Sequence, residues 1–438
     1  MRNYWFVFAL ALLGTACNDK KQKADPAMLT SANLLHHNVD KLTEVIIHDI
    51  FSPPVSSRIY TYASAAAYEA VRFQSPNNPS YTAMLNGFSA MPLPEKGKSY
   101  NYILAATRAF FTVAEKVTFT TSILKTYEDS VYAGFATLLD DTTYKNSIQF
   151  GDSIGKEVLK RAATDNYKQT RGMPKYTGSY EEGKWRPTPA DYLDATEPYW
   201  FQIKALTLDS ATQIHCAPPP TFSKDTNSVF FKTVKEVYDI TRNMTPEQQE
   251  IARYWDDNPF VVEHSGHLMS GHKKITPVGH WVGITEMACK AKGADAVTSA
   301  KAYLLTSTAV FDVIITCWKT KYTYYHIRPI TVINEMIDPN WQPFLQTPPF
   351  PEHTSGHSGI SAAAATVLTK MFGNFAFTDT SDLAYIGMKR NFQSFDQAAQ
   401  EASISRVYGG IHYSTGVAAG ADQGRKVAVH VMNELLKN

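Results

Sequence analysis

The sequence predicts an all-α fold, and two observations predict it. Apolar residues recur at three- and four-residue spacing through most of the chain, and strict polar–apolar alternation between Gly or Asn turns is scarce. A β-sandwich or a doubly wound sheet is therefore not expected. At 438 residues, 44% of them hydrophobic, the chain is long enough to bury one large core or two moderate ones. Its formal net charge is +1, so no global field draws it to nucleic acid or to an anionic membrane surface. Any attraction for anions must be local.

The chain opens with Met1-Arg2-Asn3 and an apolar run from Tyr4 to Leu13. That run is too short for a permanent membrane span and reads as a signal peptide over residues 1–17. It ends in Leu13-Gly14-Thr15-Ala16-Cys17, which has the form of a bacterial lipobox with Cys17 placed to carry a lipid; ordinary cleavage after Ala16 is the alternative. Both readings mean export, to the periplasm, the cell surface or the medium. Residues 18–30 are polar and Lys-rich and read as a flexible tether. Without Cys17 the chain keeps Cys216, Cys289 and Cys317, so at most one disulfide can form within it.

Residues 31–225 read as an N-terminal helical region with long loops. Leu42 to Phe51, Arg58 to Arg72, Tyr102 to Val117, Ser122 to Leu139 and Ser147 to Asp165 have the helical period. From about Thr170 to Phe222 the chain turns to Gly, Pro, Tyr and Trp, including Pro218-Pro219-Pro220, and a long ordered loop is expected. Residues 226–438 read as a catalytic helical bundle. Helical spacing returns at Asn227 to Thr241 and Pro246 to Trp255, then pauses in a His- and Gly-rich stretch, His264 to His280. His264, His267 and His272 suggest metal-ligand spacing, but no Cys or carboxylate completes a tetrahedral set, so they are placed in a loop near the active-site mouth.

Three pieces of the C-terminal third carry chemistry. Trp318, Lys321, Tyr325 and Arg328 have offsets that stack them on one face of a helix running from about Ala296, so Lys321 and Arg328 can converge on one small anion. Taken alone they equally suit a solvated basic helix end. Phe350-Pro351-Glu352-His353-Thr354-Ser355-Gly356-His357 leads into an Ala-rich helix from Ser358 to Met371. Free N–H groups and the positive dipole end there favour an oxyanion, Gly356 lets the backbone approach it, and Ser355 adds a hydroxyl. Ser355 is otherwise simply an N-cap. In Ser405-Arg406-Val407-Tyr408-Gly409-Gly410-Ile411-His412 a helix from Gln397 to Val407 breaks at the Gly pair, and another begins near Thr415. Arg406 offers a bidentate fork and His412 an imidazole at the corner, a position a packed histidine also takes.

The conjunction says more than any piece. A tetrahedral oxyanion with about two negative charges needs cations, several donors, a nitrogen ligand and a second His for proton transfer. Phosphate and vanadate both meet that description.

Lys321-x6-Arg328-Pro329, Ser355-Gly356-His357 and Ser405-Arg406-x5-His412 resemble the three signatures of vanadium-dependent haloperoxidases and of their relatives, the type 2 phosphatidic acid phosphatases and acid phosphatases. Trp255-Asp256-Asp257 and Thr276-Pro277-Val278-Gly279-His280-Trp281 also resemble segments upstream of the site in bacterial haloperoxidases. The resemblance implies paired four-helix bundles and a vanadate cofactor. It implies His412 as the axial ligand of vanadium, with Lys321, Arg328, Ser355, Gly356 and Arg406 on the vanadate oxygens. His357 would be the acid–base residue and Lys321 would polarise bound peroxide, while Trp318 and Phe350 would shape the approach of halide or peroxide. His326 is read as supporting the site and His353 as tuning it from the loop. Thr354 stands where the family pattern has Pro, which should loosen the turn into the helix. The function implied is oxidation of a halide, iodide or bromide ahead of chloride, by hydrogen peroxide to hypohalous acid. The same pocket also suits a phosphatase working through a phosphohistidine at His412, or a binder that sequesters the anion without turnover.

Overall fold

The computed structural model describes residues 24–265 and 268–436; the signal-peptide reading with Cys17, the N-terminal part of the tether and His267 lie outside them. Helices α1 (Asn33–His48), α2 (Pro53–Val71), α3 (Tyr102–Val117), α4 (Thr121–Leu138), α5 (Asp141–Ala163) and α6 (Tyr167–Arg171) come first. After the long loop come α7 (Val229–Arg242) and α8 (Pro246–Tyr254), the antiparallel pair β1 (Phe260–Ser265) and β2 (Leu268–Lys273), and α9 (Pro277–Ala291). The rest is α10 (Ala296–Tyr324), α11 (Pro329–Met336), α12 (Gly356–Phe372), β3 (Phe377–Asp379), α13 (Leu383–Ile386), β4 (Arg390–Phe392), α14 (Phe395–Tyr408) and α15 (Ser414–Leu435). The all-α class holds, with two small hairpins added to it.

Local chemistry sets the boundaries. Asn101 and Asp295 accept the N–H groups of Leu104 and Thr298 and so open α3 and α10. Pro53 and Pro246 stand at the first positions of α2 and α8, where a missing N–H costs nothing. Helices α2, α3 and α5 pack into one bundle; α12, α14 and α15 pack into another. Helix α10 packs on α2 and also on α12 and α15, so one apolar cluster runs from Leu42 and Phe111 through Phe311 to Leu368 and Val431. Buried Asp312 of α10 accepts from the Leu206 and Thr207 N–H groups and the Thr207 hydroxyl, at 2.6–2.8 Å. These bonds offset the burial of a carboxylate and fasten the long loop to the core.

The structure departs from the sequence reading at three places. Lys321 and Arg328 do not share a helix face: α10 ends at Tyr324, Tyr325 turns left-handed at φ 52, and Arg328 sits in extended backbone as the N-cap of α11. Pro329 is the reason, because the residue before a proline is driven out of the α region. The stretch read as a loop around His264 and His272 is the β1–β2 hairpin, and His280 belongs to α9. The polar segment before residue 31 is not all tether, because Pro26–Leu29 forms a 3-10 turn from which Met28 and Leu29 pack on the core.

Candidate active site

The three sequence pieces meet behind the N-terminus of α12. Lys321, in the last turn of α10, has no exposed surface, and its ammonium donates to the carbonyls of Pro351 at 2.8 Å, Glu352 at 3.0 Å and Thr354 at 2.6 Å. Burial pulls its pKa down to about 8. With three N–H bonds committed, Lys321 offers an anion its charge first, and a direct contact only by exchanging a carbonyl. Arg328 is the opposite case. Its Nε donates to Phe350 O at 2.8 Å and its Nη1 to Ile411 O at 2.7 Å, while Nη2 is buried with no partner. That orphan nitrogen carries two N–H groups with nothing to hold, which a buried anion would satisfy.

Ser355 caps α12: its hydroxyl oxygen accepts from Ser358 N at 3.3 Å and Ser358 Oγ at 2.9 Å, leaving its own proton to give. A Cβ on Gly356 would meet only Trp318, at 3.8 Å, so packing does not demand glycine there. Thr354 tightens the turn it was expected to loosen. Its hydroxyl donates to Gln423 Oε1 at 3.0 Å and its carbonyl holds Lys321, tying the loop to α15 and α10. Two glycines of α15 allow that closeness. A Cβ at Gly416 would come within 2.2 Å of Glu352 Oε1, and one at Gly420 within 2.5 Å of Ser355 O.

His412 directs Nδ1 to Glu352 Oε1 at 2.7 Å and Nε2 towards Arg328 Nη1 at 3.2 Å. Burial, then the Arg328 charge, drives its pKa down to about 3, so the ring is neutral, and its unprotonated Nε2 accepts from Arg328 and could ligate a bound group in that bond's place. Glu352, to which the sequence reading gave no role, is the orienting carboxylate: it also accepts from His326 Nδ1 at 3.0 Å and from Tyr413 N at 3.3 Å. His326 thus supports the site, whereas His353 turns away to Ala217 O at 2.9 Å.

His357 lies 3.3 Å from Arg406 Nη1 and 3.9 Å from Asp257 Oδ2. Burial and Arg406 hold its pKa well below the usual histidine range. Arg406 donates to Ser405 Oγ at 3.0 Å, to Asp256 O at 3.3 Å and to Trp255 O. Behind it, His280 bridges Asp257 Oδ1 at 2.9 Å and Asp379 Oδ2 at 2.8 Å, stacked on Trp255 at 4.4 Å. Both ring nitrogens face carboxylates, so both carry protons, and the imidazolium is itself the cation these acids hold. Its pKa is raised well above the usual value by Asp257 and Asp379, against burial. Trp318 and Phe350 flank the pocket with ring centroids 5.3 Å apart, and Phe350 lies 4.9 Å from Lys321 Nζ and 5.0 Å from Arg328 Cζ. Every residue of the predicted set is therefore in one place. Asp257 and His280 lie in the two upstream segments that resemble bacterial haloperoxidases, where the sequence assigns them no role.

Paired helical bundles with a cationic, His-bearing pocket at the start of one helix define a class of oxyanion-binding helical proteins. A family model described as the VCPO second helical-bundle domain matches residues 301–437. The structure resembles that of a bacterial vanadium-dependent iodoperoxidase at a TM-score of 0.87 and 42% identity, covering 93% of this chain and 97% of that one. It also resembles a bacterial vanadium-dependent chloroperoxidase in its holo form, at a TM-score of 0.65 and 17% identity over 89% of this chain and 93% of the other. The apo form of a bacterial chloroperoxidase gives 0.66 and 16% over 88% and 95%. These last two share the fold. No curated protein sequence matches the chain. At the identity and coverage of the iodoperoxidase match, the chain belongs to the vanadium haloperoxidase family.

Proposed function

We propose that the protein is a vanadium-dependent haloperoxidase that oxidises halide, iodide or bromide ahead of chloride, with hydrogen peroxide to hypohalous acid. One observation carries the reading. A buried guanidinium nitrogen of Arg328 has no partner, the neutral His412 imidazole turns its Nε2 to that same guanidinium at 3.2 Å, and Ser355 and Gly356 open a helix in the pocket that Trp318 and Phe350 flank. This donor set suits vanadate: three cations balance its charge, Ser355 and the α12 N–H groups meet its oxygens, and His412 supplies the nitrogen ligand. Bound there, vanadate(V) supplies a Lewis-acidic centre that activates peroxide without changing oxidation state.

The chain's own residues do the rest. His357, held neutral, accepts a proton from hydrogen peroxide and returns it to the departing oxygen; Asp257 stabilises its charged form across 3.9 Å. Lys321 and Arg328 stabilise negative charge on oxygen from fixed positions, with no reorganisation at the moment of reaction. Glu352 keeps the His412 Nδ1 proton in place, which fixes Nε2 as the unprotonated nitrogen.

The test is reconstitution with orthovanadate followed by iodide oxidation with peroxide, beside a p-nitrophenyl phosphate assay with and without vanadate. Vanadate-dependent triiodide formation is expected. Phosphate ester hydrolysis that vanadate inhibits, with no halide oxidation, would show a phosphatase instead. The N-terminus is read as an export signal, and mass spectrometry of the mature protein from its host distinguishes a lipidated Cys17 from a chain cleaved after Ala16.

A further inference from the structure

Behind His357 stands a charged cluster that the reaction, as derived so far, does not use. His280, in the first turn of α9, has no exposed surface, and Asp257, Asp379 and Asp382 around it are buried as well. Its Nδ1 donates to Asp257 Oδ1 at 2.9 Å and lies 3.6 Å from Asp382 Oδ2, while its Nε2 donates to Asp379 Oδ2 at 2.8 Å. The positive end of α9 is a poor place for an imidazolium. The acids and the face of Trp255, 15° from parallel to the ring, hold it there. Packed apolar residues in place of such a buried ionic group are commonly neutral or stabilising, so packing alone does not account for it.

We propose that His280 and Asp379 are positioning residues for the proton transfer at His357. The imidazolium takes one oxygen of Asp257, aims the other at His357, and offsets part of the Asp257 charge so that His357 stays open to a proton. The proposal rests on the reading of His357 as the residue that accepts the proton of peroxide.

The geometry divides Asp257 in two. Oδ1 is engaged by His280, and Oδ2 is buried without a hydrogen-bond partner, 3.9 Å from His357 Nε2. The Asp257 backbone is left-handed at φ 43, a conformation that aspartate adopts more readily than most residues. Main chain and His280 together therefore fix which oxygen faces the site. A carboxylate at that distance with no cation behind it would favour a permanently charged His357, and a charged imidazole has no lone pair to take a proton. The groups that face His357 are Asp257 from the turn after α8, Arg406 from α14 and His412 from the turn before α15. Those that face His280 are the three acids, with Lys274 beyond Asp382 and paired to Asp256 Oδ2 at 2.7 Å. Burial, opposed by His280, pushes the Asp382 carboxyl up to about 7, so it is neutral over the range in which His357 titrates. Asp257 and Asp379 against one imidazolium then leave a single net negative charge beside His357.

The test is charge compensation. His280→Gln removes the cation and keeps a donor, so Asp257 acts on His357 undiminished. Asp379→Asn removes the outer anion, so His280 offsets more of Asp257. Two readouts follow the His357 midpoint: its Cε1–Hε1 resonance, titrated by NMR in the vanadate-free full chain, and the acid limb of kcat/KM for peroxide in the vanadate-loaded enzyme. The midpoint should rise by about one pH unit in His280→Gln and fall by about as much in Asp379→Asn. In the double variant, where the net charge is restored, it should return to the wild-type value. Asp382→Asn should leave it in place. A cluster that serves only the fold predicts otherwise, with the midpoint unmoved or moved the same way by both single changes and the double variant the most disturbed; any of these results overturns the proposal. Should His280→Gln fail to fold, Asp379→Asn decides alone: a fall in the midpoint supports the proposal, and no change or a rise overturns it. The NMR titration needs no turnover, so a wild type unable to oxidise iodide would count against the haloperoxidase reading alone.

Discussion

Among the described residues the buried Lys and Arg side chains fall into two groups, one in each bundle, and the fold treats them oppositely. In the first bundle Arg58 donates to Asp165 Oδ2 at 2.6 Å, Tyr62 to the same oxygen at 2.9 Å, and Arg161 to Tyr62 at 3.2 Å and Asn86 O at 2.7 Å. The acid is supplied by the fold. In the second bundle the nitrogens of Lys321, Arg328 and Arg406 meet carbonyls, a hydroxyl and imidazoles among the described residues, and no carboxylate. The acids of the site face histidines instead: Glu352 takes two of them, and Asp257 pairs its Oδ1 with His280 and holds its Oδ2 3.9 Å from His357. A structural cluster brings its own counter-charge, and a ligand site leaves it out. Burial without that charge is unfavourable, as the Lys321 pKa near 8 and the Arg328 and Arg406 pKa values near 10 indicate.

Substitution should separate the two clusters most sharply. Arg328→Ala is expected to lower kcat for iodide by about 10²–10³ with little loss, or a gain, in stability by denaturant titration. Asp165→Asn should do the reverse, costing about 3–5 kcal/mol of stability while the folded enzyme keeps its kcat. Matching losses of stability in both would erase the distinction. Anion linkage comes next. Vanadate at about 100 times its Kd should stabilise the wild type by about 2.7 kcal/mol; scanning calorimetry should find that gain in Asp165→Asn and not in Arg328→Ala.

The pH response follows in size. Lys321 titrates near 8 in the fold and near 10.5 unfolded, so between those values the unfolded chain binds more protons. Stability of the vanadate-free protein should therefore rise over pH 8 to 10.5, by about 3 kcal/mol at most, and Lys321→Met should remove the rise. Vanadate affinity should fall over the same range as the charge is lost. The smallest effect is expected at Thr354→Val, which removes the hydroxyl bond to Gln423. About 1 kcal/mol of stability should go, with a modest loss of vanadate affinity.

How much of this was legible in the sequence depends on how local each cause is. Helix α3 runs from Tyr102 to Val117 as its periodicity predicts, and α10 starts at the expected Ala296. The anion-binding set was legible because it falls into three short segments whose spacing matches a family. Arg328 was misplaced on α10 because helical spacing continues past Tyr324 and only Pro329 contradicts it. Glu352 sits within the Ser-Gly-His segment, but its partner His412 lies 60 residues on, and no local pattern announces the contact. The close approaches of Gly416 and Gly420 likewise exist only once α15 meets the Glu352–Ser355 turn.

Helix α10 gives the two bundles a shared axle. It faces α2 on one side and α12 and α15 on the other, so neither half can be cut away without stripping a flank of its longest element. That element is long and apolar enough to pass for a bilayer span, and only its burial between the bundles distinguishes it from one. Until both bundles have closed around it, a nascent chain carries a segment with affinity for lipid, and protease resistance of the two halves should appear together.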